Sequence, residues 1–269
     1  MAVLLVIFTD LDGTLIDHHT YGYAQSRAAV ARAQRSRVPI CICSSKTHRE
    51  IVRYRDELGI RDPFIAENGG AVFIPKGYFD RSTRSRPECF EVVSLGVRRE
   101  ILVTALHESI RDLPVRVRGF HEMTPEELSS ISGLPPELAL MALDRECDEP
   151  FLLEGRPEDV EALSDALGIR GLHLVRGGRF FHVTGGNDKG KAVDLLIERF
   201  KRNSRVVSVG IGDSPNDIPM LLRVDIPILV KQPSGQHDPA VLGAVPHARL
   251  ADGIGPKGWD IAVNELLDR

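Results

Sequence analysis

Cysteine is scarce in this 269-residue sequence, neither sign of charge dominates, and no apolar run reaches membrane-spanning length. The four cysteines, Cys41, Cys43, Cys89 and Cys147, form neither a CxxC pair nor a ligand spacing. That excludes a cysteine-built zinc site and leaves buried thiols in a reducing, cytoplasmic compartment as the expectation. Lysine and arginine number 34 against 38 acids, a formal net charge of −4 without a block of either sign. No footprint for nucleic acid follows, so an anionic ligand has to be held locally. The opening run AVLLVIF has no basic flank and no small-residue cleavage site, and it falls far short of the ~18 residues that span a bilayer. No membrane partner is expected, and the run reads as a buried strand. Internal repeats and low-complexity tracts are also missing. What is present is a 42% hydrophobic chain, enough for one large domain or two modest ones.

Strand-like and helix-like segments alternate from the start. AVLLVIF leads to the helical SRAAVARAQRS, then to the apolar VPICICS, the helical KTHREIVRYRDEL and the strand-like PFIAENGGAVFI. This βαβαβ order predicts a parallel sheet covered by helices. The last third resumes it with helix KAVDLLIERFKRN, buried strand VVSVGIGD, helix DIPMLLRV and strand IPILV. Residues 84–185 have an α+β texture instead. Strands ECFEVVSL and PVRVRGF flank the helix RREILVTALHESIRDL, and Thr124-Pro125-Glu126-Glu127 joins a capping box to a proline at the first helical position. FLLEG, the helix PEDVEALSDAL and a hairpin LHLVRGGRFFHV turning on Gly177-Gly178 complete this segment. The expectation is an α/β protein: a Rossmann-like parallel core built from 1–83 and 186–269, interrupted by an inserted α+β domain at 84–185.

Four stretches at strand ends carry chemistry. FTDLDGTLID places Asp10 and Asp12 just past the first strand, at the edge where open parallel sheets bind ligands. Residues two apart in extended chain share a face at roughly 6.6 Å, so both acids can address one cation or one substrate group. Left alone they raise each other's pKa, and a divalent cation relieves the repulsion. The competing reading is an Asx turn in which Asp12 and Gly13 merely bend the chain. GIGDSPND adds Asp213 and Asp217 at an equivalent strand end, giving four acids that could converge on a hard cation such as Mg²⁺. Its alternative is a loop with Asp217 as a helix N-cap. CSSKT offers the hydroxyls and N–H groups of Ser44 and Ser45 to phosphate oxygens at a helix start, or supplies only a serine N-cap. In GGNDKGKAVDLL, Lys189 stands in the first turn of an amphipathic helix, where the dipole disfavours a cation and so implies a neighbouring anion. A solvated surface lysine is the alternative. Gly185, Gly190 and Lys191 nearly spell a P-loop, but Ala192 stands where a hydroxyl would ligate Mg²⁺.

Taken in order, DxDGT, a serine, a lysine and GDxxND resemble the motifs of the haloacid-dehalogenase-like phosphatases. SSKT, ENGG, the DRECDEPF stretch and GGRFFHVTGGNDKGKA are most similar to the mannosyl-3-phosphoglycerate phosphatases, and the resemblance spans core and insert. It implies that Asp10 attacks phosphorus and that Asp12 serves as general acid and base. It further implies Mg²⁺ held by the Asp10 carboxylate, the Asp12 backbone carbonyl and Asp213, with Asp217 and Asn216 supporting the metal shell. Ser44, Ser45, Lys189 and Asn216 would hold the phosphoryl oxygens, and the insert would act as a cap that selects a phosphorylated sugar-glycerate. Glu149, Arg179 and His182 lie in the cap motifs, though each could be an ordinary strand or loop residue. Phe180 and Phe181 read as hairpin core, Lys191 as helix surface, and His18, His19 and Tyr21 as loop residues. A glucosyl-3-phosphoglycerate or broader sugar phosphatase and a phosphosugar mutase stand as alternatives within the enzyme class. A nucleotide-binding switch and a non-catalytic Mg²⁺-binding signalling domain stand outside it. Oligomeric state is not read.

Overall fold

Strand β1 (Val3–Thr9) lies between β2 (Ile40–Ile42) and β10 (Arg205–Gly212), paired in parallel with both. The structure, a computed structural model, describes residues 3–80, 86–177 and 179–268. Beyond β10 lie β11 (Ile226–Lys231) and β12 (Arg249–Ile254), so the core sheet runs β12-β11-β10-β1-β2, every pair parallel. A sheet covered on both faces needs apolar residues on both, which is why β1 reads as one continuous apolar run. Ile7 enters the cluster formed with α1 (Arg27–Arg35), α2 (His48–Leu58) and α10 (Gly255–Leu267). Val6 and Phe8 point the other way, to α7 (Lys189–Lys201), α8 (Ile218–Leu221) and α9 (Pro239–Ala244). That is the period of two expected of a strand.

The third apolar segment departs from the expected order. β3 (Phe64–Ala66) meets the core sheet through a single parallel bridge, Cys43 to Ile65. Its ladder is made instead with β4 (Ala71–Lys76), antiparallel, and β4 pairs with β5 (Arg86–Ser94). The strand ECFEVVSL, read from sequence with the insert, thus belongs to a three-stranded sheet with β3 and β4. Consecutive strands joined by a short connection pair far more often than not, and β4 and β5 follow that rule.

The inserted unit is built on a four-stranded antiparallel sheet, order β6-β7-β9-β8, from β6 (Arg116–Gly119), β7 (Asp148–Glu154), β8 (His173–Gly177) and β9 (Phe180–Thr184). One face packs on α3 (Arg99–Ile110) and α6 (Pro157–Gly168), with Leu102, Leu106, Phe151, Leu163 and Val183 buried between them. The other packs on α4 (Pro125–Ser132) and α5 (Pro136–Ala142), the latter not marked by any sequence pattern used above. Phe180 and Phe181 face opposite sides, as neighbours on a strand must. Phe180 meets Phe120 edge to face at 4.9 Å, and Phe181 stacks on Phe151 at 6.1 Å. Both are hairpin core. Gly177 pairs with Phe180 at the end of the hairpin, and Gly178, the other residue of the expected Gly177-Gly178 turn, lies outside the described residues. Three of the cysteines are buried as expected, whereas Cys89 is exposed, and all four are free thiols. Among the described residues no helix is long and apolar enough to cross a membrane.

The chain enters and leaves the insert beside one short turn. Glu67, Asn68 and Gly69 take left-handed backbone angles in succession, with φ of 50°, 55° and 96°. The turn's Gly70 carbonyl accepts from Leu95 N at 2.8 Å and Gly96 N at 2.9 Å on the outward crossing. On the return, the Asn187 amide donates to the carbonyls of Glu67 and Cys147, both at 2.9 Å. A Cβ on Gly69 would lie 2.3 Å from the Asp188 carbonyl oxygen, so only glycine lets this turn touch the start of α7.

Candidate active site

Asp10 and Asp213 are the first residues past β1 and β10, two neighbouring parallel strands, so the fold brings them together at the C-terminal edge of the sheet. The backbone N–H of Asp10 donates to Ile211 O at 2.9 Å, which anchors the first motif to the other strand. Lys189 opens α7 and lies between carboxylates, with Nζ 2.6 Å from Asp10 Oδ1 and 2.7 Å from Asp217 Oδ1. It is 1% exposed. Here is the anion that its place in a first helical turn implies, and the surface-lysine reading is excluded. Burial opposes the Lys189 charge, but the two carboxylates outweigh it and hold the ammonium well above the usual lysine range.

Asp217 is fully buried, and its Oδ2 accepts from the N–H groups of Asp213 at 3.0 Å and Ser214 at 3.3 Å. Those donors precede it in the chain, so Asp217 stands at the N-cap position of α8 but its side chain makes no capping bond there. It ties the loop back on itself and orients Lys189. Asp213 accepts from the Thr14 hydroxyl at 3.0 Å, while Gly13, at φ 77°, leaves room for its carboxylate. Burial, then the Asp217 charge, pushes Asp213 up to about 7. Burial likewise lifts Asp10 well above the carboxylate range, with Asp217 adding to it and Lys189 opposing.

Asp10, Asp213 and Asp217 each offer a carboxylate oxygen, all within 4.8 Å of one another. Three buried acids share one ammonium, and burial together with their mutual repulsion raises both Asp10 and Asp213. An all-oxygen donor set with excess negative charge suits a hard divalent cation. The donor set therefore fits Mg²⁺. Asp12 does not join this group with its side chain. Its carboxylate turns to Lys46, whose Nζ lies 3.4 Å from Oδ1, and that buried oxygen has no hydrogen-bond donor. Burial raises the Asp12 pKa, with Lys46 opposing. Lys46 also pairs with Glu50 at 3.3 Å and sits over the Tyr21 ring at 5.1 Å.

The remaining phosphate candidates separate. Ser45 and Asn216 line a cleft of about 380 Å³ together with Asp10, Asp12 and Asp213. Ser44 is buried at the end of β2, its hydroxyl accepting from Lys46 N at 3.1 Å. Neither serine is the cap of α2. Thr47 is, in a reciprocal capping box with Glu50.

Two further clefts lie between core and insert. One, of about 690 Å³, is lined by Ser45, Asn68, Arg176, His182 and Lys189. The other, of about 160 Å³, is lined by Asp12, Lys46, Arg145, Phe180 and His182. His182 faces both, and its Nδ1 lies 2.9 Å from Asp148, which also accepts from Arg145 at 2.6 Å. Arg179 is exposed at the hairpin turn and is not among the residues lining these clefts. Glu149 is fully buried, held by Arg99 and His121 on the far side of β7 from His182's partner Asp148. Strand alternation explains the split, since Asp148 and Glu149 must face opposite ways.

Sequence reasoning missed Lys46, Thr14, Arg145, Asp148 and Arg176. Lys46 stands inside SSKT, and Arg145 and Asp148 inside DRECDEPF, so the residue types were visible in the sequence. What it lacked was the pairing across the fold that gives each charge its partner.

A family model described as haloacid dehalogenase-like hydrolase matches residues 7–109. A glucosyl-3-phosphoglycerate/mannosyl-3-phosphoglycerate phosphatase of Methanococcoides burtonii is 39% identical over 267 residues, covering 98% of this chain and 97% of that protein. A mannosyl-3-phosphoglycerate phosphatase of Pyrococcus horikoshii is 34% identical over 231 residues, covering 85% of this chain and 91% of that one. A solved structure from Thermoplasma acidophilum superposes with a TM-score of 0.69 at 18% identity over 99% of each chain, a likeness of fold.

Proposed function

Because the chain belongs to the haloacid dehalogenase-like hydrolases, as a phosphoric monoester hydrolase of the glucosyl/mannosyl-3-phosphoglycerate phosphatase kind, we propose that it hydrolyses mannosyl-3-phosphoglycerate, and its glucosyl analogue, to the glycosylglycerate and phosphate. The observation that carries this reading is the convergence of Asp10, Asp213, Asp217 and Lys189 beside Asp12, with insert residues lining the clefts that hold Lys189 and Asp12. A silent Mg²⁺-binding domain has no use for a second acid beside Asp10, and a nucleotide switch needs the P-loop hydroxyl that Ala192 replaces.

In this reading an Asp10 carboxylate oxygen forms a bond to phosphorus as the bond from phosphorus to the glycerate oxygen breaks. Lys189 fixes Asp10 Oδ1 at 2.6 Å and so aims the carboxylate. Asp12, whose carboxyl burial raises above the usual carboxylate range with Lys46 opposing, gives its proton to the leaving oxygen. The Asp12 carboxylate then takes a proton from water as that water attacks the phosphorus of the aspartyl phosphate, and Asp10 is regenerated as phosphate leaves. Asp10 and Asp213, with Asp217 behind them, would hold Mg²⁺, which when bound supplies positive charge for the carboxylates and the phosphoryl oxygens. Ser44, Ser45, Lys189 and Asn216 are proposed to hold those oxygens. His182 and Arg176, which line the clefts, are proposed as contacts for the sugar-glycerate portion.

The test is phosphate release from a panel of esters by wild type and Asp10→Asn. Turnover is expected on both glycosyl-3-phosphoglycerates well ahead of simple hexose phosphates, and Asp10→Asn is expected to lose at least ~10³-fold. Near-normal rates in Asp10→Asn would exclude the covalent route, and equal rates across the panel would exclude the proposed substrates.

A further inference from the structure

We propose that His107 and His121, on the surface of the insert, form a two-histidine site for a borderline transition ion such as Zn²⁺ or Ni²⁺, separate from the acidic centre. His107 is on α3, and His121 is in the short turn Phe120–Glu122 that follows β6. Their Nε2 atoms face each other at 3.2 Å, with the rings at 90°. Two metal–nitrogen bonds of ~2.0–2.1 Å at a tetrahedral angle place the nitrogens roughly 3.3–3.4 Å apart. The gap is therefore that of two ligands on one ion.

The second observation lies behind His121. Its Nδ1 is 2.8 Å from Glu149 Oε1, and its backbone N–H donates to the same oxygen at 3.0 Å. Glu149 is itself fully buried and held at 2.5 Å by Arg99 Nε, so the carboxylate is fixed in place. A carboxylate on Nδ1 keeps the proton there and turns the Nε2 lone pair outward, the arrangement that orients and strengthens metal-bound histidines. The residue beneath the pair is Gly119, where a Cβ would lie 2.4 Å from His121 Nδ1 and 2.6 Å from Glu149 Oε1. Only glycine leaves space for the ring and the acid together.

Neighbouring acids are committed elsewhere: Glu122 to Gly119 N at 2.9 Å, and Glu108 to Arg170 at 3.6 Å. Among the described residues no third side chain completes the pair, so the other coordination positions are open to water or an exogenous donor. Imidazole selects a borderline ion, whereas the carboxylate centre selects a hard one. Binding would cross-link α3 to the turn after β6 and so brace the insert.

Zn²⁺ titrated into Mg²⁺-loaded protein, followed by long-range ¹H–¹⁵N imidazole spectra, tests this directly. The Nε2 resonances of His107 and His121 are expected to move together and saturate at one equivalent, and Zn²⁺ is expected to raise Tm. His107→Asn should abolish both effects while leaving Mg²⁺-dependent turnover unchanged, and Glu149→Gln should weaken the affinity by about 10–100-fold. The proposal is overturned if neither Nε2 responds to millimolar Zn²⁺, which would leave a plain N–H···N contact, or if the His107→Asn variant binds as wild type does.

Discussion

Asp213 shows how a single residue can be poor for stability and apt for a metal site. Its folded pKa is pushed up to about 7 by burial and by Asp217, whereas an unfolded aspartate titrates near ~3.9. Between those values the folded state holds the extra proton, so the metal-free protein loses stability as pH rises from about 4 to about 7. A bound divalent cation takes the place of that proton and cancels the loss. We expect Asp213→Asn to raise Tm of the metal-free protein at pH 7.5, to flatten its dependence on pH, and to remove the stabilisation by Mg²⁺. Melting curves of both proteins at pH 5.5 and 7.5, with and without Mg²⁺, check this, and a lower Tm for metal-free Asp213→Asn at pH 7.5 would contradict it.

At the scale of elements, the turn Glu67-Asn68-Gly69-Gly70 does more than join β3 to β4. The Glu67 carboxylate accepts from Glu146 N at 2.8 Å and Cys147 N at 2.7 Å, which moors the insert's long connection to the core. Burial lifts its pKa to about 7. Gly69 presses on the backbone of Asp188, the N-cap of α7, and Lys189 is the next residue. A methyl group there meets both a positive φ and a 2.3 Å clash. Gly69→Ala is therefore expected to cost more than ~2 kcal/mol in stability and to cut kcat by displacing Lys189. Thermal melts and steady-state kinetics read the two effects, and a wild-type kcat would separate the turn from the lysine.

Legibility in the sequence divides along the same line. Apolar runs and cap residues are local, so β1, β2, β10 and β11 and the helices α2, α3, α4, α6 and α7 could be read from spacing alone. The carboxylates and lysine at the sheet edge could be read because each follows a strand or opens a helix. The sheet to which β5 belongs could not, because that depends on which neighbour presents a free edge. β12 escaped for another reason: as an edge strand it buries only Ala251 and Gly253, which leaves little hydrophobic signal. The roles of Glu149 and Arg179 were equally hidden, since strand parity decides one and the hairpin turn the other.

For the whole molecule, the proposed reading gives selection of substrate to the insert, because the core groups address a phosphoryl group that every phosphate ester carries. The insert reaches the core by direct bonds: Arg145 to Ser45 O at 3.2 Å, and the Thr47 hydroxyl to Met141 O at 2.9 Å. His182→Ala is expected to weaken turnover of a glycosyl-3-phosphoglycerate at least tenfold more than that of p-nitrophenyl phosphate, whereas Arg179→Ala should spare both. Equal losses on the two substrates in His182→Ala would assign the histidine to packing. The pairing of β1 with β10, Val3 opposite Arg205, has one more consequence, which concerns synthesis. A ribosome adding roughly 5–20 residues per second delivers the partner of that strand tens of seconds after the strand itself has emerged. Until then one edge of β1 has no mate, and an unpaired apolar edge is open to pairing with another chain. The insert's sheet and helices all fall between Arg99 and Thr184, so the part made in the middle can be folded before the part made first is complete.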